Sequence, residues 1–477
     1  MKPALKYLLL IFLVSFIIYF PSLFGFYTND DFFHLSISRA ESLREFLNFF
    51  NLIKGPEGLG VYRPLTTHVF YFLGWKLFNL NPMGLHIVSF LIFFLVIYLV
   101  YKFTVMLTKK ENIGLISAFL YATSATHFGH LYYLATELHL ILFFLITVIC
   151  FMNFLEKKKI KFYLFSIIAF GLTFLSKENA VVLPFVFILI YLFLRYQKRV
   201  EVSVKRLIAL LIPYFLILAG YAYMRFFHYG FVTGDSYIWD FSIKRAVNTL
   251  GWYSLWSFNL PEMLVDFVGP GLHFNPNLFK YWSSQIIPIL ILFVVEILSI
   301  LYVILKSKIL NRKSLSIILF SVAWFVITLS PVLFLPLHKF TFYLTLPLFG
   351  VVLMLSYLLE KRNSLTIILF CILWVSTSIL TLNLTRQTNW ITQGEATARR
   401  VYDYIQNNRG NLVGKTIVFY DTKDDESLPF SPTATLKNVL SNNNFFQVFY
   451  KGEITVEYGG KSEANPILVH SRQFLGY

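Results

Sequence analysis

Long apolar runs, each about 17–25 residues and separated by short basic turns, set the limits on what this chain can become. Eleven such runs fall at 7–26, 84–106, 112–127, 134–154, 160–176, 180–196, 206–226, 284–305, 314–334, 342–359 and 364–384. Lipid offers no partner for a backbone N–H or C=O, so runs of this length must satisfy those groups internally, as helices. Charged residues make up only 14% of the chain against 57% hydrophobic, where a soluble domain carries about 25% charged. The reading is an all-α polytopic membrane protein of about eleven transmembrane helices.

The distribution of charge orients the helices. With the N-terminus placed inside, the cytoplasmic turns collect 20 basic residues against four acids, whereas the opposite side is close to neutral. That is the positive-inside pattern, and it accounts for the net charge of +16 without nucleic acid. The basic residues are scattered among short turns and lack interleaved aromatic platforms, so no nucleic-acid partner is expected. Cys150 and Cys371 both lie inside apolar runs, which argues against a disulfide framework. The first run follows Lys2 and Lys6 and ends in Phe20, Pro21, Phe24 and Phe26 rather than small residues, so it reads as a retained helix. The expected location is the cell membrane, multi-pass, with a cytoplasmic N-terminus and an extracytoplasmic C-terminus.

Two long outer loops, 27–83 and about 227–283, contrast with short cytoplasmic turns, so function is expected to face outward. Residues 42–50, 66–78 and 243–260 read as interfacial or re-entrant helical pieces. After residue 384 the composition changes. Residues 387–408 read as an amphipathic helix, Lys415 to Tyr420 as a strand, and Gln447 to Val456 as one or two more strands, with a Ser/Pro/Asp-rich loop between. The domains are therefore a transmembrane unit, 1–385, and a small soluble extracytoplasmic α/β domain, 386–477.

The residues able to carry chemistry cluster at the outer helix ends. Asp30 and Asp31 follow the first run between aromatics; they fit either a solvated helix cap or a general base with a raised pKa. Arg63 fits a phosphate or a lipid headgroup. The second outer loop carries His127, His130, Glu137 and His139, at spacings that match no helical zinc motif. Lys177 and Glu178 are the charges between two apolar runs. His338 and Lys339 mark the fifth outer loop, where Lys339 suits a lipid phosphate or snorkels to the surface. Arg225 is a weaker candidate of the same kind. Glu296, mid-span, reads as paired within the bundle.

Four segments carry a resemblance: Asn29-Asp30-Asp31, Tyr62-Arg63-Pro64-Leu65, Ser176-Lys177-Glu178-Asn179-Ala180, and His338-Lys339 with Tyr343-Leu344. Over about residues 1–385 the chain resembles the GT-C superfamily of membrane glycosyltransferases, nearest to the protein O-mannosyltransferase and aminoarabinose-transferase group. The resemblance implies a polyprenyl-phosphate-linked sugar donor and an inverting transfer. It also implies Asp30 and Asp31 as the catalytic acids, Arg63, Lys177, Glu178, His338, Lys339 or Arg225 around the donor phosphate, and membrane lipid as surroundings. Some members use a divalent metal, for which Asp30, Asp31 and Glu137 are the available oxygen ligands. The chain departs from the pattern in lacking a proline at Ala125-Thr126-His127-Phe128, in carrying Lys339 where arginine is usual, and in showing no TPR period after residue 385. The acceptor is left open among protein, lipid and glycan. The rival readings are a transporter or flippase of lipid-linked or small solutes, and a non-catalytic scaffold.

Overall fold

The computed structural model describes all residues except 1–2, 53–61, 136–137, 231–233, 235–236, 270, 272, 307–311, 460–465 and 477. All eleven apolar runs form helices. Among the described residues eight are long and apolar enough to cross a membrane: Ala4–Phe24, Pro82–Thr108, Leu138–Lys157, Glu178–Tyr196, Val204–Tyr229, Asn277–Leu305, Arg312–Leu333 and Ser364–Thr388. The other three expected spans are shorter. Glu111–Ala122 and Leu348–Leu359 have 12 residues each and Ile160–Phe174 has 15, or roughly 18–23 Å at the α-helical rise.

The short helices have a physical reason. At one end of the bundle the regular helix gives way to tighter or looser turns. The segments Phe20–Phe24, Ala125–His127, Glu178–Val182 and Thr341–Leu344 are 3-10, and Leu65–Val69 and Arg225–Tyr229 are π-helical. Irregular backbone at such a depth persists only where protein groups satisfy it. Here the Leu65 N–H donates to the Leu175 carbonyl at 3.0 Å, and the Thr66 hydroxyl donates to the Ser176 carbonyl at 2.8 Å. The opposite end keeps the lysines and arginines. Lys109 and Arg199 share Glu156 at 3.2 and 2.5 Å, and Lys110 meets Glu360 at 2.7 Å.

Aromatic side chains fill the middle of the bundle. Phe103, Trp324 and Phe349 stack in one cluster with centroids 4.9–5.5 Å apart, and Phe151 lies 4.2 Å from Phe187. Gly350 lets two helices touch: a Cβ there would sit 2.4 Å from the Ser321 carbonyl oxygen. Apolar side chains such as Ile208, Leu216, Ile291, Leu298 and Leu369 stay more than half exposed, a surface that needs lipid to cover it. The helix Ile243–Trp256 buries one face, Thr249, Tyr253 and Trp256, and leaves Ile243 and Val247 exposed.

The C-terminal segment is an α/β layer. Strand Thr416–Tyr420 is central in a three-stranded parallel sheet, flanked by Thr455–Tyr458 and Ile467–His470. Helices Trp390–Leu412, Pro432–Val439 and Asn444–Tyr450 complete it. The expectation of strand from Gln447 is corrected: residues 444–450 are helical because Phe445 with Phe449, and Phe446 with Tyr450, pair at a spacing of four. The strand Ile467–His470 went unforeseen. This layer shares its core with the first loop. Phe26 stacks on Phe449, and Phe32 meets Phe445 edge to face at 5.1 Å.

Gly350→Ala is expected to destabilise the bundle by about 1–3 kcal/mol through overpacking. Gly220→Ala, where a Cβ meets nothing within 4 Å, is expected to be neutral or stabilising by roughly 0.5–1 kcal/mol. Thermal melts in detergent followed by circular dichroism compare the two; an equal response removes the close-approach argument.

Candidate active site

The acid pair is built by a strained turn. Asn29 has φ +49°, an uncommon conformation for a non-glycine residue. Its N–H donates to the Val439 carbonyl at 2.8 Å, so the C-terminal layer holds the turn. Asp30 and Asp31 then open the helix Asp30–Ile37, where the free N–H groups of a helix start favour carboxylates. The two acids are not equivalent. Asp31 is 1% exposed and has both oxygens engaged. Its Oδ2 accepts from the Thr28 N–H at 3.0 Å and its Oδ1 from the Tyr71 hydroxyl at 2.5 Å. Burial outweighs these bonds and pushes its pKa up to about 7. Asp30 is exposed at the surface but lies in a concavity dense with protein. Desolvation raises its pKa, opposed by the neighbouring Tyr133 hydroxyl and by the charge of Arg63.

The cations come from two other segments. Arg63 precedes Pro64, and its guanidinium grips Glu178 by two bonds, Nε to Oε2 at 2.7 Å and Nη2 to Oε1. Such a fork fixes direction as well as energy. Lys177 is buried, with its ammonium 4.7 Å from the centre of the Tyr343 ring. Burial and then Arg63 push its pKa well down, opposed by Glu178. His338 joins this group: its Nε2 is 2.9 Å from the Tyr343 hydroxyl, and its ring lies 4.0 Å from that of Tyr237. The charges of Lys177 and Arg63 add to burial in holding His338 neutral, with a pKa near 4. His130 reaches the same loop through the Phe342 carbonyl at 2.9 Å.

Other expected residues are placed differently. His127 is fully buried among Tyr19, Phe93 and Tyr121, and its Nε2 meets the Tyr121 carbonyl at 2.6 Å. It supports the fold beneath the site. The charge that acts on Lys339 is Asp266 rather than Glu178. Arg225 lies beside Tyr221, which also feels Arg63 and Glu178. His139 packs on Phe70. Glu137 lies outside the described residues. Glu296 is fully buried; the Thr377 hydroxyl of the packed helix Ser364–Thr388 faces its carboxylate, outside normal hydrogen-bond geometry.

Sequence reasoning passed over Tyr71, Tyr133 and Glu395. Glu395 is 7% exposed, and burial followed by the charge of Asp31 raises its pKa well above the ordinary value. Its signal was a carboxylate on the apolar face of an amphipathic helix, four residues after Ile391 and three before Ala398. Gly394 makes the approach possible, since a Cβ there would meet the Thr28 hydroxyl at 2.3 Å. A metal fits the described residues poorly. No three His, Cys, Asp or Glu side chains converge among them, and Asp31 has both oxygens committed. No step through a metal is derived.

Residues 63–222, which carry Arg63, Lys177 and Glu178, match the family model described as dolichyl-phosphate-mannose-protein mannosyltransferase. That match covers about a third of the chain and is to a family of GT-C type. Among solved structures, this chain is similar to archaeal oligosaccharyltransferase AglB from Archaeoglobus fulgidus, in complex with an inhibitory peptide and a dolichol-phosphate. Identity is 13% and the TM-score 0.44, over 88% of this chain and 62% of that one. The apo form of the Archaeoglobus fulgidus oligosaccharyltransferase gives 13% identity and a TM-score of 0.45, over 96% and 64%. The chain thus spans less than two thirds of the length of either. No curated protein matches it.

Tyr71→Phe removes a hydrogen bond to the ionised form of Asp31, so the Asp31 pKa is expected to climb above about 7. The protonated-carboxyl infrared band, assigned by its loss in Asp31→Asn, reads this directly. A fall in the pKa would contradict the assignment.

Proposed function

We propose that the chain is an integral-membrane glycosyltransferase that moves a monosaccharide, with inversion, from a polyprenyl-phosphate donor to an acceptor hydroxyl on the outer face of the membrane. The match of residues 63–222 to a mannosyltransferase family model supports glycosyl transfer. The observation that carries the finer reading is the gathering of charges from three distant segments around Arg63, which is paired with Glu178 and acts on both Asp30 and Lys177, at the end of the bundle away from the basic turns. Polar groups gathered at one end fit this chemistry better than a transport path through the midplane.

In the proposed step, Asp30 accepts the proton of the acceptor hydroxyl. The hydroxyl oxygen forms a bond to the anomeric carbon as the bond from that carbon to the phosphate oxygen breaks. The electron pair leaves with the polyprenyl phosphate, whose growing charge Arg63 and Lys177 stabilise. Glu178 keeps the guanidinium aimed. Asp31, hydrogen-bonded on both oxygens, holds the turn that presents Asp30. The low-polarity setting that raises both acids suits a base working near neutral pH.

With labelled polyprenyl-phosphate mannose and a membrane extract as acceptor source, Asp30→Asn is expected to lower transfer by about 100-fold or more. The base must be ionised, so transfer by wild type is expected to fall as pH drops, with the acidic limb above the usual carboxylate range. Equal transfer by wild type, Asp30→Asn and Asp31→Asn would remove the proposed base. Orientation has its own test. In a background lacking Cys150 and Cys371, an impermeant maleimide is expected to label Ser427→Cys in intact cells and Lys158→Cys only after permeabilisation; the reverse pattern would turn the protein over.

A further inference from the structure

The structure contains a cleft that the proposed chemistry has not used. It has a volume of about 590 Å³ and lies between the C-terminal layer and the loops of the transmembrane unit, within the roughly 300–1,000 Å³ typical of ligand sites. Its walls include Trp282 and Asp266 from the membrane side, Trp390, Gln393 and Asn438 from the C-terminal layer, and Asn29. Asn29 is joined directly to Asp30. Trp390 meets the Tyr133 ring edge to face at 5.2 Å, and Tyr133 adjoins Asp30. Two lining residues, Asn29 and Trp390, therefore lead to the acid that the preceding reading makes the base.

We infer that this cleft is the acceptor site and that it takes a neutral saccharide, an inference that rests on the proposed glycosyl transfer. The lining chemistry supports it. Indole faces offer flat apolar surfaces for the C–H faces of a sugar ring, with an N–H donor at the edge. Side-chain amides donate and accept together, and a carboxylate accepts from paired hydroxyls. The described lining residues include no lysine or arginine, which disfavours a phosphorylated or sulfated acceptor. The donor's prenyl chain belongs elsewhere, because two thirds of the residues lining the cleft come from the C-terminal layer. A peptide acceptor is the weaker reading. Strand addition would require a sheet edge, and neither flanking strand, Thr455–Tyr458 or Ile467–His470, lines the cleft.

The test uses the full chain in lipid nanodiscs. Wild type and Asp30→Asn are screened on a glycan array with neutral and anionic saccharides, and hits are measured by tryptophan fluorescence beside a Ser/Thr-rich peptide. Both proteins are expected to bind a neutral saccharide with similar affinity, since binding does not need the base. Trp390→Ala and Gln393→Ala are expected to weaken it at least tenfold, and Trp390→Phe to restore most of the loss; Gln393→Ala serves alone if Trp390→Ala does not fold. No saccharide hit, preference for an anionic glycan or for the peptide, or unchanged affinity in Gln393→Ala and Trp390→Ala would overturn the assignment. Saccharide binding by an enzyme that transfers no polyprenyl-linked sugar would uphold the cleft and defeat the donor reading instead.

Discussion

The ion pair between Arg63 and Glu178 is the contact on which the organisation of the site depends. Both side chains are mostly buried, 115 positions apart in sequence. Desolvating two charges is costly, and removing one partner of such a pair typically costs about 3–5 kcal/mol because the other charge is stranded. The structure surrounds the pair with further constraints. Leu65 and Thr66 bond to the end of the helix Ile160–Phe174 on the same side, so backbone and side chain define one geometry together. A fixed guanidinium then acts on Asp30, His34 and His338 at once.

Around that pair the fold trades regular helix for positioned side chains. Continuous α-helix through the bundle would place Lys177, Glu178 and Tyr343 wherever a 100° step put them. The 3-10 and π turns at this end rotate them out of that sequence. The helices are left short there, and hydrogen bonds between segments replace the lost ladder bonds. The basic end needs no such departures, and its lysines and arginines meet Glu156 and Glu360 at ordinary helix ends.

Much of this was legible in the residues. Apolar run length located the helices of all eleven runs because lipid leaves the backbone no alternative. The pairing of motifs brought Arg63, Lys177 and Glu178 to one place. What escaped was decided by tertiary packing. Residues 444–450 have aromatic content suited to a strand, yet their partners Phe32 and Phe26 lie over 400 positions away and favour helical spacing. Lys177 is buried beside Arg63 and Glu178 whereas Lys339 meets Asp266, and Asp266 gave no local sign. Glu395 was visible as a charge out of place on an apolar face, but its neighbour Asp31 was not. The inequality of Asp30 and Asp31 follows from Tyr71 and the Thr28 N–H, which adjacency in sequence does not reveal.

The bond from Asn29 to Val439 spans most of the chain, and the neighbouring side-chain contact from Asn29 to the Asn438 carbonyl closes a separation of 409 positions. A ribosome adding about 5–20 residues per second takes roughly 20–80 s to cover that distance. During that interval the first helices are already in the bilayer while the turn bearing the two acids still lacks the strand-and-helix layer that locks it. The protein therefore assembles its membrane scaffold long before the acid-bearing turn is locked, and a nascent chain released early would carry the two acids without the contact that holds them.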